Sequence, residues 1–166
     1  MFDNIRINLL DAYKTERFYV STENKNRQIN ALAMRLEGET EFEYENTKTF
    51  VKNGDIIYLP AGFDYHCSSE YEKLIAVHFE ASGFACKKMI VFTPIEKRIY
   101  ENIFESIFVL ANGDKNIGGK HEATAQLYSM FAMMEKEQVC SRRINKKKSF
   151  HKNPLLLLQQ EGVGLF

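Results

Sequence analysis

The residues best suited to bind a metal ion are two histidines and a glutamate in the first half of the chain. His78 and Glu80 are two positions apart, so on a strand they point to the same face, and His66 could complete the group. Two histidines with one carboxylate form the ligand set of non-haem iron sites. A histidine near the end of a strand is more often packed or hydrogen-bonded than metal-bound. The main prediction is therefore a chain without metal or cofactor, with a small metal-dependent enzyme as the alternative.

Nucleophilic catalysis has little support in the sequence. Cys67 directly follows His66, so on a strand their side chains point apart. No Gly-x-Ser-x-Gly, Walker or dinucleotide-type glycine pattern occurs. The other cysteines, Cys86 and Cys140, are too distant for a Cys-x-x-Cys motif, and an odd number of cysteines does not indicate a disulfide framework. We predict no catalytic residue.

Aromatic and imidazole side chains suit the non-covalent binding of a small molecule instead. Tyr44, Tyr58 and Tyr65 offer ring faces for stacking on a sugar and hydroxyls for its polar edge, although each could be an ordinary core aromatic. Tyr65 and His66 are expected at the mouth of a barrel, where such folds usually bind ligands. His78 is expected to hydrogen-bond to the ligand or to a residue that touches it.

Residues 54–66 supply the elements that would position these side chains. Asn53 and Gly54 favour a turn, and Ile56–Leu59 is a short apolar strand. Residues 60–62, Pro-Ala-Gly, end that strand, because proline cannot donate to a ladder and glycine can reverse the chain. A second strand follows at Tyr65. Strands that meet at such a corner are typical of small β-barrels.

Alternation of apolar and polar residues dominates up to about residue 80. Over residues 32–44 the even positions are mostly apolar and the odd positions charged, which predicts strands with one wet face, Arg35 among its residues, and a bend at Gly38. We expect a turn near Asn46 and Thr47 and a strand over residues 49–51. The continuous apolar run at residues 74–79 predicts a strand that is buried on both faces.

After about residue 95 the apolar residues recur at the spacing typical of a helix. Thr93 is the predicted N-cap, Pro94 the first helical position, and residues 112–113 the end of the first helix. Its apolar stripe consists of Ile95, Ile99, Ile103, Ile107 and Leu110. A second helix is predicted over residues 122–138, with a stripe of Ala123, Leu127, Met130, Phe131 and Met134. The two helices would form an antiparallel hairpin with a surplus apolar face suited to homodimerisation.

The sequence thus divides into a barrel over residues 1–90, a helical hairpin over 91–140 and a flexible tail over 141–166. Residues 1–140 carry 16 Lys/Arg against 21 Asp/Glu, whereas 141–166 carry 6 against 1. The acidic body predicts poor binding to duplex DNA, although the basic residues within 142–152 leave a nucleic-acid adaptor as a third hypothesis. No apolar stretch is long enough to cross a bilayer and no secretory signal is visible, which predicts a cytoplasmic location without a membrane partner.

Residues 35–44, residues 54–62, the pair His78-Phe79 and the helical segment Met-Met-Glu-Lys-Glu-Gln at 133–138 together carry a resemblance. In these segments the chain resembles, over residues 5–140, the N-terminal cupin-type sensing domain of AraC-type transcriptional regulators. The resemblance implies a mainly β fold, a jelly-roll barrel followed by helices through which such regulators dimerise. It also implies a small effector, often a sugar or related metabolite, and an Arg27 that faces the pocket; a surface salt bridge is the alternative role for Arg27.

Two departures from the family pattern bear on function. A helix-turn-helix half does not follow the predicted helices, so no direct DNA binding is expected from this chain, and the DNA-binding domain is absent or truncated. The cupin position that commonly holds a histidine is Tyr65, with His66 one place later, and residues 22–50 contain no histidine. The usual metal set of cupins therefore cannot be built. We predict the sensing and dimerisation module of an AraC-type regulator.

Overall fold

The computed structural model describes residues 5–83, 87–113 and 118–152, with side chains as far as residue 138. Within these residues the chain forms seven strands followed by two helices. The strands are β1 (Arg6–Asn24), β2 (Asn30–Gly38), β3 (Thr40–Tyr44), β4 (Thr47–Val51), β5 (Ile56–Leu59), β6 (Tyr65–Ser82) and β7 (Ile90–Phe92). The helices are α1 (Lys97–Asn112) and α2 (Gly119–Lys152).

The long strand β6 organises the sheet. It pairs antiparallel with β1 from Arg6 opposite Ser82 to Asn24 opposite Tyr65. Its other edge pairs with β3 near its start and with β2 further along, and the sheet order is β4-β3-β6-β2-β5-β7. Because one strand pairs with three others, the sheet curls into a nearly closed antiparallel barrel. The predicted cupin-like jelly roll with appended helices is confirmed.

Both faces of the central strands are buried, so the prediction that one face of β2 is exposed to solvent was wrong. Leu32 and Met34 pack towards the helices, whereas Ala31 and Ala33 lie in a second apolar cluster inside the barrel. Each large apolar side chain that is fully buried contributes about 1.5–3 kcal/mol. Arg35, which the alternation assigned to solvent, points into the barrel and is 3% exposed. The strand at residues 74–79 is buried on both faces, as predicted, within β6.

The corner at residues 54–66 is also confirmed. Gly54 and Gly62 have φ of 84° and 77°, values that glycine adopts without strain. Between them the buried Asp55 fixes the turn, since its carboxylate accepts hydrogen bonds from the Lys52 amide at 2.9 Å and the Thr93 hydroxyl at 2.7 Å. The turn predicted near Asn46 and Thr47 lies one residue earlier, and β4 begins at Thr47.

The first helix begins later than predicted. Its N-cap position is Glu96, and Thr93 does not cap it because the Thr93 hydroxyl bonds to the carboxylate of Asp55. The amide of Ile95 bonds instead to Glu137 of α2, at 3.1 Å. With this start, the buried face of α1 is Tyr100, Phe104 and Ile107, whereas Ile95 and Ile99 from the predicted stripe are 71% and 47% exposed.

The second helix carries its predicted stripe, and all five side chains are buried against the sheet and α1. It continues to Lys152, so the prediction that the helical part ends near residue 138 was wrong. The predicted flexible tail therefore begins as helix, and residues 153–166 lie outside the described part of the chain. Among the described helices, none combines the length and the apolar character needed to cross a membrane.

Candidate ligand site inside the barrel

Arg27 is positioned by the loop between β1 and β2. The carbonyl of Arg27 accepts a hydrogen bond from the Gly62 amide at 2.6 Å, and the Arg27 amide donates to the Phe63 carbonyl at 3.3 Å. These bonds tie the loop to the glycine turn that ends β5. The guanidinium Nε donates to the Ile29 carbonyl at 2.9 Å, which fixes the orientation of the side chain. Hydrogen bonds thus fix both the backbone and the side chain of Arg27.

The guanidinium of Arg27 brings together three of the residues predicted to bind ligand. Its Nη1 donates to the Tyr65 hydroxyl at 3.1 Å, and its Nη2 lies 3.1 Å from Nε2 of His78. Tyr65 begins β6 and His78 lies near its end, so the curvature of the barrel places both beside one loop. The three side chains line a cavity of about 460 Å³ within the barrel.

His78 is held between a cation and an anion. Its Nδ1 lies 3.1 Å from a carboxylate oxygen of Asp11, and its ring meets that of Tyr13 edge-on at 5.0 Å between centroids. Because Arg27 can only donate, Nε2 is assigned as the acceptor and Nδ1–H as the donor to Asp11. Burial, assisted by the charge of Arg27 and opposed by Asp11, lowers the pKa of His78. The imidazole is therefore neutral at neutral pH.

Two tyrosine hydroxyls and one cysteine thiol beside the cavity stay protonated at neutral pH. Burial raises the pKa of Tyr13 and of Tyr65, with Arg27 acting in the opposite direction in both cases. Burial likewise raises the pKa of the Cys67 thiol. The cavity thus presents two phenol groups and a thiol in their neutral forms beside a guanidinium.

A buried ion cluster lies next to the cavity. The carboxylate of Glu72, 1% exposed, accepts hydrogen bonds from Arg35 at 2.5 Å, from the Thr40 hydroxyl at 2.7 Å and from Nε of Arg17 at 2.8 Å. Although burial alone would raise the pKa of Glu72, the Thr40 bond and the two guanidinium charges hold it below its usual value. Arg17 is half-exposed and also lines the cavity, so it links the two groups.

The other predicted ligand residues lie elsewhere. Tyr58 packs in the cluster between the sheet and the helices, and its hydroxyl donates to Asn30 at 2.9 Å. His66 points away from Tyr65, as neighbours on a strand do, and its ring contacts the Ser21 hydroxyl at 3.1 Å. The ring of Tyr44 meets that of Phe63 at a tilt of 54° with 5.1 Å between centroids, and Tyr44 does not line the cavity. Of the six predicted residues, the structure gathers Arg27, Tyr65 and His78.

The alternative metal site is not assembled. His66 contacts the Ser21 hydroxyl and does not line the cavity, whereas His78 lines it beside Arg27. Glu80 accepts a hydrogen bond from Asn8 at 3.0 Å. Within residues 5–83, 87–113 and 118–138, no three His, Cys, Asp or Glu side chains come close enough to share an ion. The structure contradicts the grouping that the sequence suggested.

Sequence reasoning missed Asp11, Tyr13, Arg17, Cys67 and Glu72. The first three occupy odd-numbered positions on β1, two and four residues apart, and a polar, aromatic and basic residue at such spacing was a usable signal of one functional face. Which face turns inward depends on the register, however, and the register shifts between Leu9 and Asp11. That shift is not visible in the sequence.

No protein-family model matches the chain, and no curated protein does. Solved structures do resemble it. ToxT from Vibrio cholerae superposes with a TM-score of 0.50 at 11% identity, over 80% of this chain and 57% of ToxT. An unsaturated fatty acid-bound form of ToxT gives 0.50 at 8% identity, over 80% and 55%. The AraC-like transcriptional activator CuxR gives 0.51 at 10% identity, over 78% and 50%.

These similarities concern the fold alone, which the chain shares with the matched parts of ToxT and CuxR. The chain spans only about half the length of the regulators that it matches.

Proposed function

We propose that this chain is the effector-sensing module of an AraC-type transcriptional regulator. Its barrel binds a small molecule without transforming it. The observation that carries the proposal is the convergence of Arg27, Tyr65 and His78 on one cavity. A volume of about 460 Å³ lies within the range of ~300–1,000 Å³ that ligand pockets occupy.

The state of the side chains favours binding over catalysis. Both ring nitrogens of His78 are engaged, one by Arg27 and one by Asp11, so neither is free to accept a proton from a substrate. The Cys67 thiol has a raised pKa and is therefore a poor nucleophile at neutral pH. What remains is a rigid set of hydrogen-bonding groups with an aromatic wall. Such a set orients and retains a ligand.

DNA binding belongs, in this proposal, to another part of the regulator. The solved regulators with this fold are about twice as long as the matched region. The barrel carries more acidic than basic residues, which opposes contact with phosphates. The module would signal ligand occupancy, and a separate half would read the operator.

Homodimerisation through the helices completes the proposal. On α1, Ile99 and Val109 are 47% and 62% exposed, and Ile95 just before the helix is 71% exposed. Ile103 and Leu110 on the same helix are partly buried. A row of apolar side chains on a helix that already packs its other face on the sheet is typical of a protein interface.

The class of ligand expected first is a small polar metabolite such as a sugar, sugar acid or polyol. A thermal-shift screen over these classes tests the proposal, because a ligand that binds only the folded state raises its melting temperature. A ligand present at a hundred times its Kd raises the free energy of unfolding by about 2.7 kcal/mol, which raises the melting temperature of a domain of this size by ~5–10 °C. The same compound should give little shift with Arg27→Gln and a full shift with Arg98→Gln, which alters an exposed residue of α1.

A shift that is equal in both variants would place the ligand outside the cavity and refute the proposed site. A compound that the wild-type protein turns over into a product would refute the sensing role itself.

A further inference from the structure

We infer that the molecule bound in the barrel carries a negatively charged oxygen group, a carboxylate or similar oxyanion, that pairs with Arg27. The inference rests on the proposed function, which it narrows from polar metabolites in general to organic anions. It is argued from the charge balance of the cavity and from the direction of its hydrogen bonds.

Arg27 has no carboxylate partner among the described residues. Its five N–H groups meet only the Ile29 carbonyl, the Tyr65 hydroxyl and the neutral ring of His78. The two other cations that line the cavity in the described part of the chain are already paired, Lys25 with Glu23 and Arg17 with Glu72. A partly buried guanidinium that is surrounded by neutral groups retains its full charge and has lost part of its hydration. Pairing with an anion stabilises it.

The acids around the cavity have other partners. Asp11 lies on the far side of the His78 ring and accepts the hydrogen of Nδ1, so the imidazole separates it from Arg27. Glu72 is bonded by two guanidinium groups and the Thr40 hydroxyl, and Asp64 accepts a hydrogen bond from the Asn26 amide at 2.6 Å. Among the residues that the structure describes, no Asp or Glu side chain lines the cavity itself. An anionic ligand would thus meet no like charge inside it.

The hydroxyl groups beside Arg27 add donors. The Tyr65 oxygen already accepts a bond from Arg27, and its own hydrogen has no acceptor in the described structure. The Tyr13 hydroxyl likewise has no hydrogen-bond partner there, and its ring contacts His78. Both phenols stay protonated at neutral pH because burial raises the pKa of each. A guanidinium with two phenol donors is complementary to a carboxylate, which only accepts.

Nuclear magnetic resonance of the arginine side chains tests this inference directly. The probes are three acids, acetate, benzoate and D-galacturonate, each compared with a neutral partner of similar shape, acetamide, benzamide and D-galactose. Titrations are run at constant ionic strength, and the Arg27 Nε–H signal is identified by its loss in Arg27→Gln. We expect at least one acid to shift this signal saturably, at least about tenfold more tightly than its neutral partner.

Two variants of the protein test which side chains the acid contacts. Tyr65→Phe removes one donor but keeps Arg27, so the acid should bind several-fold more weakly and still shift the Arg27 signal. Arg98→Gln is the control on the outer surface, and acid binding should be unchanged. The comparison of acid with neutral partner uses the wild-type protein alone, so it does not depend on the folding of any variant.

The inference is overturned if a neutral partner binds in the cavity as tightly as its acid, or if none of the acids shifts the Arg27 signal. The first outcome leaves the sensing function intact and excludes only the anionic class. If neither acids nor neutral compounds of the wider screen bind in the cavity, the proposed function falls as well.

Discussion

Replacing Glu72 by Gln should strongly destabilise the barrel. Glu72 is 1% exposed and Arg35 is 3% exposed, so the substitution leaves a buried guanidinium without its nearest anion. Breaking a buried ion pair from one side costs about 3–5 kcal/mol. Glutamine still accepts a bond from Thr40, so we expect the lower end, about 3 kcal/mol. With a urea m-value of ~2 kcal/mol/M, the midpoint of unfolding should fall by about 1.5 M.

Substitution of the partner residue, Arg35, should lower the free energy of unfolding much less than substitution of Glu72. In Arg35→Met the carboxylate of Glu72 keeps Arg17 and Thr40 as partners, and the buried Nε of Arg35, which has no hydrogen-bond partner, is removed. The double variant Arg35→Met, Glu72→Gln should lie within about 1 kcal/mol of the wild type, because no unpaired buried charge remains. The coupling energy of this cycle should exceed about 2 kcal/mol.

Urea unfolding followed by circular dichroism measures all four proteins. Glu37→Gln is the matched control, since it makes the same chemical change at an exposed ion pair on β2 and should leave the midpoint nearly unchanged. Because the folded state holds the pKa of Glu72 low, its stabilisation is complete above the unfolded pKa of about 4.3 and is lost as pH falls below it. The difference between wild type and Glu72→Gln should therefore shrink below about pH 4. Additive effects of the two substitutions would refute the reasoning.

Three further variants test other parts of the structure. Gly38→Ala should lower the free energy of unfolding by several kcal/mol, because a Cβ there would overlap the backbone of β6. Gly62→Ala, with a similar positive φ but open space around it, should lower it by only about 1 kcal/mol. Urea unfolding midpoints measure both variants, and equal losses would contradict the packing at Gly38. Glu137→Ala removes the acceptor for the Ile95 amide, which precedes α1, and for the Tyr100 hydroxyl at 3.0 Å. It should lower the free energy of unfolding by about 1–2 kcal/mol, and an unchanged free energy of unfolding would count against this link between the two helices. Ile99→Glu places a charge on the exposed face of α1 and should shift sedimentation from dimer to monomer without a change in the melting temperature of the monomer; an unchanged dimer would exclude this face.

The fold was largely predictable from local patterns. Residues 54–66 contain a glycine turn, a short apolar strand and a Pro-Ala-Gly turn, and each of these depends on the backbone preferences of a few neighbouring residues. The second helix was equally clear because its stripe has one uniform period. The start of the first helix was not predictable, because the hydroxyl of the predicted cap Thr93 bonds to Asp55, thirty-eight positions away, and the Ile95 amide bonds to Glu137, forty-two positions away.

The site was predictable only in part. Arg27, Tyr65 and His78 were identified by residue type and resemblance, but Tyr58 was assigned to the same site and in fact faces the helices. Residue type cannot distinguish the two faces of a strand that is buried on both sides. Arg35 illustrates the same limit, because a charged residue in an alternating run indicates solvent unless its partner Glu72, thirty-seven positions away, is known.

Neighbouring residues of β6 contact the cavity and the helices. His78 faces the cavity, while Phe79, one peptide bond away, meets Phe131 of α2 edge-on at 5.7 Å. The carbonyl of the same Phe79 accepts a hydrogen bond from the Asn30 side chain at 3.2 Å. In the proposed sensing role, the residue that would meet the ligand and the residue on which α2 packs are thus neighbours in the chain.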